Sequence, residues 1–306
     1  MDSRNAVGID IGGTKMAVAA VDAAGRIAAR IALPTEPGKG FPRAVDRLSE
    51  AVRQVLAQAG WQARDLAGIG IGCAGPLDPK RGLIRNIYTL ADWMDCDIVA
   101  PLRERFGVPA WLENDADAAA VGECLAGAGR GADPVVMLTF GTGVGGAALV
   151  GGEIYRGVRG EHPELGHVPA LPDGPECYCG TRGCLEAVAS GTAIGKAGQT
   201  AGFADARAVF AAAKGGDAAA RRVLDRALPG TAAAVWAFLH TFLPQRLILG
   251  GGVMDDHFDV FAAALKPVLA AATMMPRGEV EVVRAALGND AGIVGAAAVA
   301  MRRAGR

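Results

Sequence analysis

His167, Cys177, Cys179 and Cys184 place one imidazole and three thiols within eighteen residues. A Cys3His set with this spacing suits tetrahedral zinc. Gly180 and Gly183 let the short loop between the last two thiols fold back so that both reach one ion. Glu164 stands three residues before His167, and Glu186 follows the last thiol. A metal that only stapled a loop would need no acids on its flanks. The expectation is that zinc stiffens a loop spanning residues 164–186 and aims Glu164, His167 and Glu186 at a polyhydroxylated ligand. Two alternatives stand beside it: a disulfide between Cys177 and Cys184, or three small buried thiols. Nothing supports an oxidising compartment, and Asp173, Gly174, Pro175 and Glu176 are loop-forming residues. Cys73, Cys96 and Cys124 are isolated and read as packing or loop residues.

Three glycine-rich turns follow apolar runs: Asp10-Ile11-Gly12-Gly13-Thr14-Lys15, Gly141-Thr142-Gly143, and Gly250-Gly251-Gly252. Glycine lets backbone amides approach an anion, so each is a candidate phosphate cradle, with Thr14, Thr142 and Lys15 as further donors. A plain hairpin explains any one of them alone; three together, one headed by an acid, favour a nucleotide. Asp10 would act by holding a hydrated Mg²⁺. There is no G-x-x-x-x-G-K-[ST] run, and Gly141-x-Gly143-x-x-Gly146 leads into a strand pattern rather than a helix. Those two points exclude a P-loop and argue against a dinucleotide fingerprint.

Asp115 is the candidate general base. Moving a phosphoryl group from ATP to a sugar hydroxyl needs a carboxylate within hydrogen-bond reach of that hydroxyl. Its other reading is the N-cap of the helix expected over 116–126. Asn114 beside it can donate and accept with sugar hydroxyls.

The elements that must carry these groups follow from periodicity. Strands are expected over 6–11, 16–21, 26–33, 67–72, 108–112, 135–140, 147–150, 246–249 and 279–284. Helices are expected over 42–58, 98–106 (behind Asp97 as N-cap), 116–126, 205–214, 217–243 with a break near Pro229-Gly230, 257–272 and 291–303. Strand, Gly/Thr turn and strand occur at 6–21 and again at 135–150. The expected fold is therefore a duplicated α/β architecture of two domains around a cleft.

The series Asp10-Ile-Gly-Gly-Thr-Lys15, Glu113-Asn-Asp115, Gly141-Thr-Gly-Val-Gly-Gly146, Glu164-Leu-Gly-His167 and Cys177-x-Cys-Gly-x-x-Gly-Cys-Leu-Glu186 resembles the ROK family of bacterial sugar kinases and repressors, in the actin-like (ribonuclease H-like) ATPase superfamily. The resemblance runs from about residue 5 to about residue 300. It implies a small N-terminal domain (1–115, joined by a C-terminal helix within 290–306) and a larger one (116–289). It further implies ATP and Mg²⁺ as cofactors, phosphorylation of a hexose 6-hydroxyl, and a homodimer. Carried across, Asp115 is the catalytic base, and Asn114, Glu164, His167 and Glu186 are sugar contacts, with Gly75 a further sugar-side position. His167 would serve zinc and sugar through its two nitrogens, while Cys177, Cys179 and Cys184 complete the metal site. The nucleotide positions are Asp10, Gly12, Gly13, Thr14, Lys15, Gly141, Thr142, Gly143, Gly251 and Gly252. One segment departs from the family pattern: Asn86 to Trp93 is longer by a few residues than the usual Asn-Leu-x-x-Trp, so Asn86 carries no role over. Trp93 reads as a lid over the sugar or as packing.

Composition sets the outer limits. The chain has 306 residues, 51% hydrophobic and 21% charged, with a net charge of −1 and both signs interspersed. That is a globular composition with no electrostatic case for nucleic acid or membrane surfaces. No signal-peptide pattern opens the sequence and no run is long enough to span a bilayer, so a cytoplasmic enzyme is expected. Glucose is the first choice of hexose; N-acetylglucosamine, N-acetylmannosamine, fructose and allose are alternatives. The competing class is a non-catalytic sugar sensor or repressor. A repressor would need a helix-turn-helix ahead of Asp10, which only nine residues precede.

Overall fold

The computed structural model describes residues 5–158, 160–274 and 280–305. The chain divides into two compact units. Met1–Gly131, Val158–Gly160 and Asn289–Arg306 form the first; Ala132–Gly157 and Glu161–Gly288 form the second.

In the first unit β1 (Ala6–Ile11), β2 (Lys15–Val21) and β3 (Ile27–Pro34) make an antiparallel meander. Helix α1 (Phe41–Ala59) follows and buries Ala44, Leu48, Ala51, Val52, Val55 and Leu56 on one face, the 3.6-residue stripe read from the sequence. Strand β4 (Ile69–Cys73) pairs parallel with β1. A small sheet of β5 (Leu77–Asp78), β6 (Leu83–Ile84) and β7 (Cys96–Asp97) comes next, then α2 (Val99–Phe106). The Asp97 carboxylate does cap α2, accepting from Val99 N at 2.8 Å and Ala100 N at 3.0 Å. Strand β8 (Ala110–Asn114) completes the sheet order β3-β2-β1-β4-β8, and α3 (Asp115–Ala126) leaves it without an intervening loop. Trp93 is fully buried, edge-on to Phe41 at 5.7 Å. Of its two readings, packing is the one realised.

The second unit repeats the plan. An antiparallel meander of β9 (Val135–Phe140), β10 (Val144–Val150) and β11 (Glu153–Ile154) is followed by α4 (Leu185–Ala189), α5 (Gly191–Thr200), α6 (Ala206–Lys214) and α7 (Ala218–Phe242). Strand β12 (Arg246–Gly250), α8 (Gly252–Ala271) and β13 (Glu281–Arg284) come next. The order β11-β10-β9-β12-β13 has the same pairing directions as the first sheet. The duplication expected from two short motifs thus extends to five strands. Helix α9 (Ala291–Ala304) then rejoins the first unit, packing on α3, β1 and β4.

Three differences from the sequence reading have physical causes, and a fourth is a shifted boundary. The reading opened the second domain at 116, whereas α3 stays in the first unit because Gly122 and Gly295 let it lie directly on α9. Helix α7 runs unbroken through Pro229. One lost backbone bond is outweighed by a buried stripe that includes Leu224, Ala227, Thr231, Ala234 and Val235. Helix α8 starts at Gly252 rather than 257, since Gly251, at φ 88° and pressed against the Phe140 backbone, turns the chain straight out of β12. The strand placed at 279–284 is Glu281–Arg284, and residue 279 lies outside the described residues.

Candidate active site

The first unit gathers its chemistry at the ends of β1, β4 and β8. Parallel pairing sets Asp10 opposite Gly72 and Cys73 opposite Asn114. Asn114, buried at the end of β8, is the N-cap of α3: its Oδ1 accepts from Ala116 N at 2.9 Å and Asp117 N at 3.3 Å. The cap therefore falls one residue earlier than the alternative reading of Asp115 supposed. Asp115 becomes the first helical residue, exposed, with one carboxylate oxygen accepting from Ala116 N at 2.9 Å. Asn114 Nδ2 faces Gly75, where a Cβ would come within 3.3 Å of it.

Asp10 is drawn in beside the start of α9. A Cβ on Gly292 would lie 2.9 Å from the Asp10 Cγ, so only glycine leaves room for the carboxyl group. Burial first, and the Asp115 charge second, raise Asp10 to about 6, against the pull of Lys15 and Arg30. The turn after Asp10 is closed by Gly12 N donating to Lys15 O at 2.9 Å and by Thr35 Oγ1 donating to Gly12 O at 2.7 Å. The Gly12 amide is thus spent inside the turn, and Thr14 and Lys15 stand exposed at its tip. Thr89 packs over this tip, where a Cβ on Gly13 would meet its Cβ at 2.8 Å. Asn86 holds that segment: it is buried, and its Nδ2 donates to Ala74 O at 3.2 Å and to Thr89 Oγ1 at 2.9 Å.

In the second unit Glu164-Leu165-Gly166-His167 is one 3-10 turn, with His167 N donating to Glu164 O at 3.0 Å. Three residues per turn bring the Glu164 and His167 side chains onto one side. Gly166 is required there, because a Cβ would fall 1.8 Å from Val144 O. His162 Nε2 sits 3.4 Å from Glu164 Oε1, and this hydrogen bond holds the Glu164 carboxyl below its ordinary value against the opposing effect of burial. His162 was missed from the sequence; its two-residue offset from Glu164 was the available signal. Glu186 Oε2 accepts from Val144 N at 2.8 Å, which ties the end of the cysteine loop to the 141–143 turn.

The donor atoms of His167, Cys177, Cys179 and Cys184 all lie within 4.8 Å of one another. Cys177 Sγ is 3.4 Å from His167 Nδ1, and Cys179 Sγ is 3.5 Å from Cys184 Sγ. All six cysteines are free, so the disulfide alternative is not realised. Tetrahedral zinc with thiolate bonds near 2.3 Å requires sulfur separations of about 3.8 Å, and these residues fit that requirement in type, number and spacing. Burial, with the neighbouring thiols adding, pushes Cys184 up to about 12; a cation is what such a cluster needs to carry thiolate charge.

A cavity of about 680 Å³ lies within this unit. One side is formed by Gly141, Thr142 and the first residues of α5 and α8, Gly191, Thr192, Gly252 and Val253. Gly191 N donates to Gly141 O at 2.8 Å, which fixes the α5 start against the turn. Two helix N-termini thereby meet one glycine turn, an arrangement that attracts phosphate. Gly195, Lys196 and Gln199 continue the lining about 12 Å along α5. Arg207 and the stacked rings of Phe210 and His257, 3.8 Å apart, line the cavity as well. Burial holds the His257 imidazole below its ordinary value, so it is uncharged at neutral pH. The sequence reading found Gly141, Thr142 and Gly252 but not Lys196, Arg207, Phe210 or His257, which no motif announces.

The ROK family matches residues 6–303. A glucokinase of Thermotoga maritima is 36% identical over 98% of this chain and 98% of its own length. An N-acetylmannosamine kinase of Escherichia coli is also 36% identical, over 95% of this chain and 97% of its own. The crystal structure of a ROK family glucokinase from Streptomyces griseus in complex with glucose and AMPPNP superposes with a TM-score of 0.78 at 32% identity, covering 97% of this chain and 99% of that one. Among the described residues no helix is long and apolar enough to cross a membrane.

Proposed function

The chain belongs to the ROK family, and from that premise we propose that it is an ATP-dependent hexose kinase acting on glucose at the 6-hydroxyl. The observation that carries the reading is the head of α3: Asn114 supplies the cap, and Asp115, the first helical residue, presents an exposed carboxylate.

In the proposed reaction the sugar 6-oxygen attacks the γ-phosphorus of ATP as the bond to the β-phosphate oxygen breaks, releasing ADP. Asp115 accepts the proton of that hydroxyl and returns it to solvent. Glu164, His167 and Glu186 hold the other sugar hydroxyls, with Asn114 and Gly75 completing the contacts. The phosphates take the α5 and α8 N-termini and the Gly141–Gly143 turn, Thr142 adding a hydroxyl, and the base takes the Phe210–His257 surface. Gly13, Thr14 and Lys15 are further phosphate contacts in this reading. Mg²⁺, when bound, neutralises charge on the transferring group, and Asp10 would hold its water shell. Zinc, held by His167 Nδ1, Cys177, Cys179 and Cys184, would stiffen the loop that carries the sugar-binding groups. The reaction draws on ATP and the cluster on reduced thiols, which favours the cytoplasm. The homodimer remains what the family resemblance implies.

The test is a coupled assay over glucose, fructose, allose, N-acetylglucosamine and N-acetylmannosamine with ATP, on the wild type and on Asp115→Asn. Glucose should give the highest kcat/KM, and the variant should still bind glucose while kcat falls by about three orders of magnitude. A panel led by N-acetylmannosamine would reassign the sugar; undiminished turnover in the variant would remove Asp115 from the mechanism.

A further inference from the structure

Tyr178 lies between two of the metal ligands and projects from the cysteine loop, 67% exposed. Its ring stands edge-on to His167, centroids 5.1 Å apart at 87°. Its hydroxyl is 3.2 Å from His167 Nε2 and also hydrogen-bonds Glu186. Nδ1 is the nitrogen turned toward the thiols, 3.4 Å from Cys177 Sγ; with a metal bound there, Nε2 would carry the ring proton and donate it to the tyrosine oxygen. The phenol in turn donates its proton to the Glu186 carboxylate. In that tautomer one hydroxyl would accept from the imidazole and donate to the acid at the same time.

That is the pair of bonds a sugar hydroxyl would make with the same two residues. We propose that the Tyr178 hydroxyl is a built-in competitor: it occupies the His167–Glu186 pair in the free protein and must leave before the sugar binds. The inference rests on the reading of His167 and Glu186 as sugar-binding residues. Departure is feasible because the side chain is largely in water, so a change of rotamer carries the hydroxyl away without moving the backbone.

The consequence for binding is specific. A competitor internal to the free protein weakens every sugar that displaces it by one common factor, and it leaves the ternary complex untouched. Tyr178→Phe removes the hydroxyl and keeps the ring. The Kd for glucose, measured by calorimetry without ATP, should fall about three- to tenfold. The KM of each accepted hexose should fall by the same factor, with kcat and the KM for ATP unchanged. Zinc content and Tm are measured alongside; should the phenylalanine variant lose metal, Tyr178→Leu is measured in its place with the same expectation. An unchanged or raised Kd overturns the proposal, since a tyrosine that only orients His167 and Glu186 would weaken binding when removed. A factor that differs from sugar to sugar also overturns it, because that marks a direct contact with the bound sugar. Failure of the kinase reading itself shows separately, as absence of turnover by the wild type on every sugar of the panel.

Discussion

Asp10 sits where burial and the Asp115 charge raise its carboxyl to about 6, with Lys15 and Arg30 pulling the other way. In the metal-free protein at neutral pH the group is ionised at a cost to the folded state. Its folded value lies above the ordinary 3.8, so the native state takes up a proton near pH 6 and the unfolded chain only near pH 4. The cost is therefore full above about pH 6 and is relieved as pH falls toward 4. A shift of this size corresponds to about 3 kcal/mol. Asp10→Asn should accordingly raise the Tm of metal-free protein at pH 7.5, with the gain shrinking to nothing near pH 4, while Mg²⁺-dependent turnover is lost. In the wild type the Mg²⁺ concentration for half-maximal rate should climb below about pH 6, as protons compete for the carboxylate. A gain over wild type no larger at pH 7.5 than at pH 4 would show that Asp10 is not strained by burial.

At the scale of elements, the first unit depends on backbones that touch. A Cβ on Gly295 would lie 1.6 Å from Ala118 O of α3, and one on Gly70 would lie 1.7 Å from Ala296 O of α9. Neither neighbour is the movable end of a side chain, so α9 itself must shift. Gly295→Ala should cost about 3 kcal/mol of stability, read as a lowered urea midpoint, and should disturb Asp10, which Gly292 of the same helix abuts. A midpoint within error of the wild type would mean that α9 has slack the packing does not show. These contacts also explain what was legible beforehand. Helix α1 wears its burial stripe openly, and the Gly-Gly-Thr turn marks the β1–β2 hairpin. The small-residue faces of α3 and α9 read only as alanine-rich helices, because close approach leaves no apolar periodicity to count. Helix α5 was passed over for the same reason: Gly191, Gly195 and Gly198 are poor helix formers, kept because Gly141, Ala206 and Val209 press on them. With it went Lys196, whereas Phe210 and His257 lie on α6 and α8, helices whose sequence pattern does not mark either ring as lining a cavity. The Cys3His cluster was legible in full because metal geometry dictates residue type and spacing. Tyr178 was not, since the position between the first two cysteines carries no such constraint.

For the molecule as a whole, one strand order is used twice, and each copy has its own core. Val7, Ile9, Leu48, Val52 and Ile71 lie in the first; Leu138, Phe140, Leu185, Val235 and Leu249 lie in the second. The cysteine loop is stitched into the second core. Leu185 N donates to Val168 O at 3.0 Å and Ala170 N to Gly183 O at 2.8 Å, while Leu165, Ala170, Leu185 and Ala189 are buried in that cluster. Zinc bound to the folded loop as proposed would stabilise the part of the structure that must open to release it. Stripping zinc with a chelator should therefore raise amide hydrogen exchange at residues 165–190, with a smaller rise at Val144, whose N–H is held by Glu186. Amides of β1, β4 and α1 should exchange at their former rates. Equal loss of protection in both sheets would mean that the protein unfolds as one cooperative body and the two cores are not independent. No change at 165–190 would mean that the four ligands hold their places without the ion.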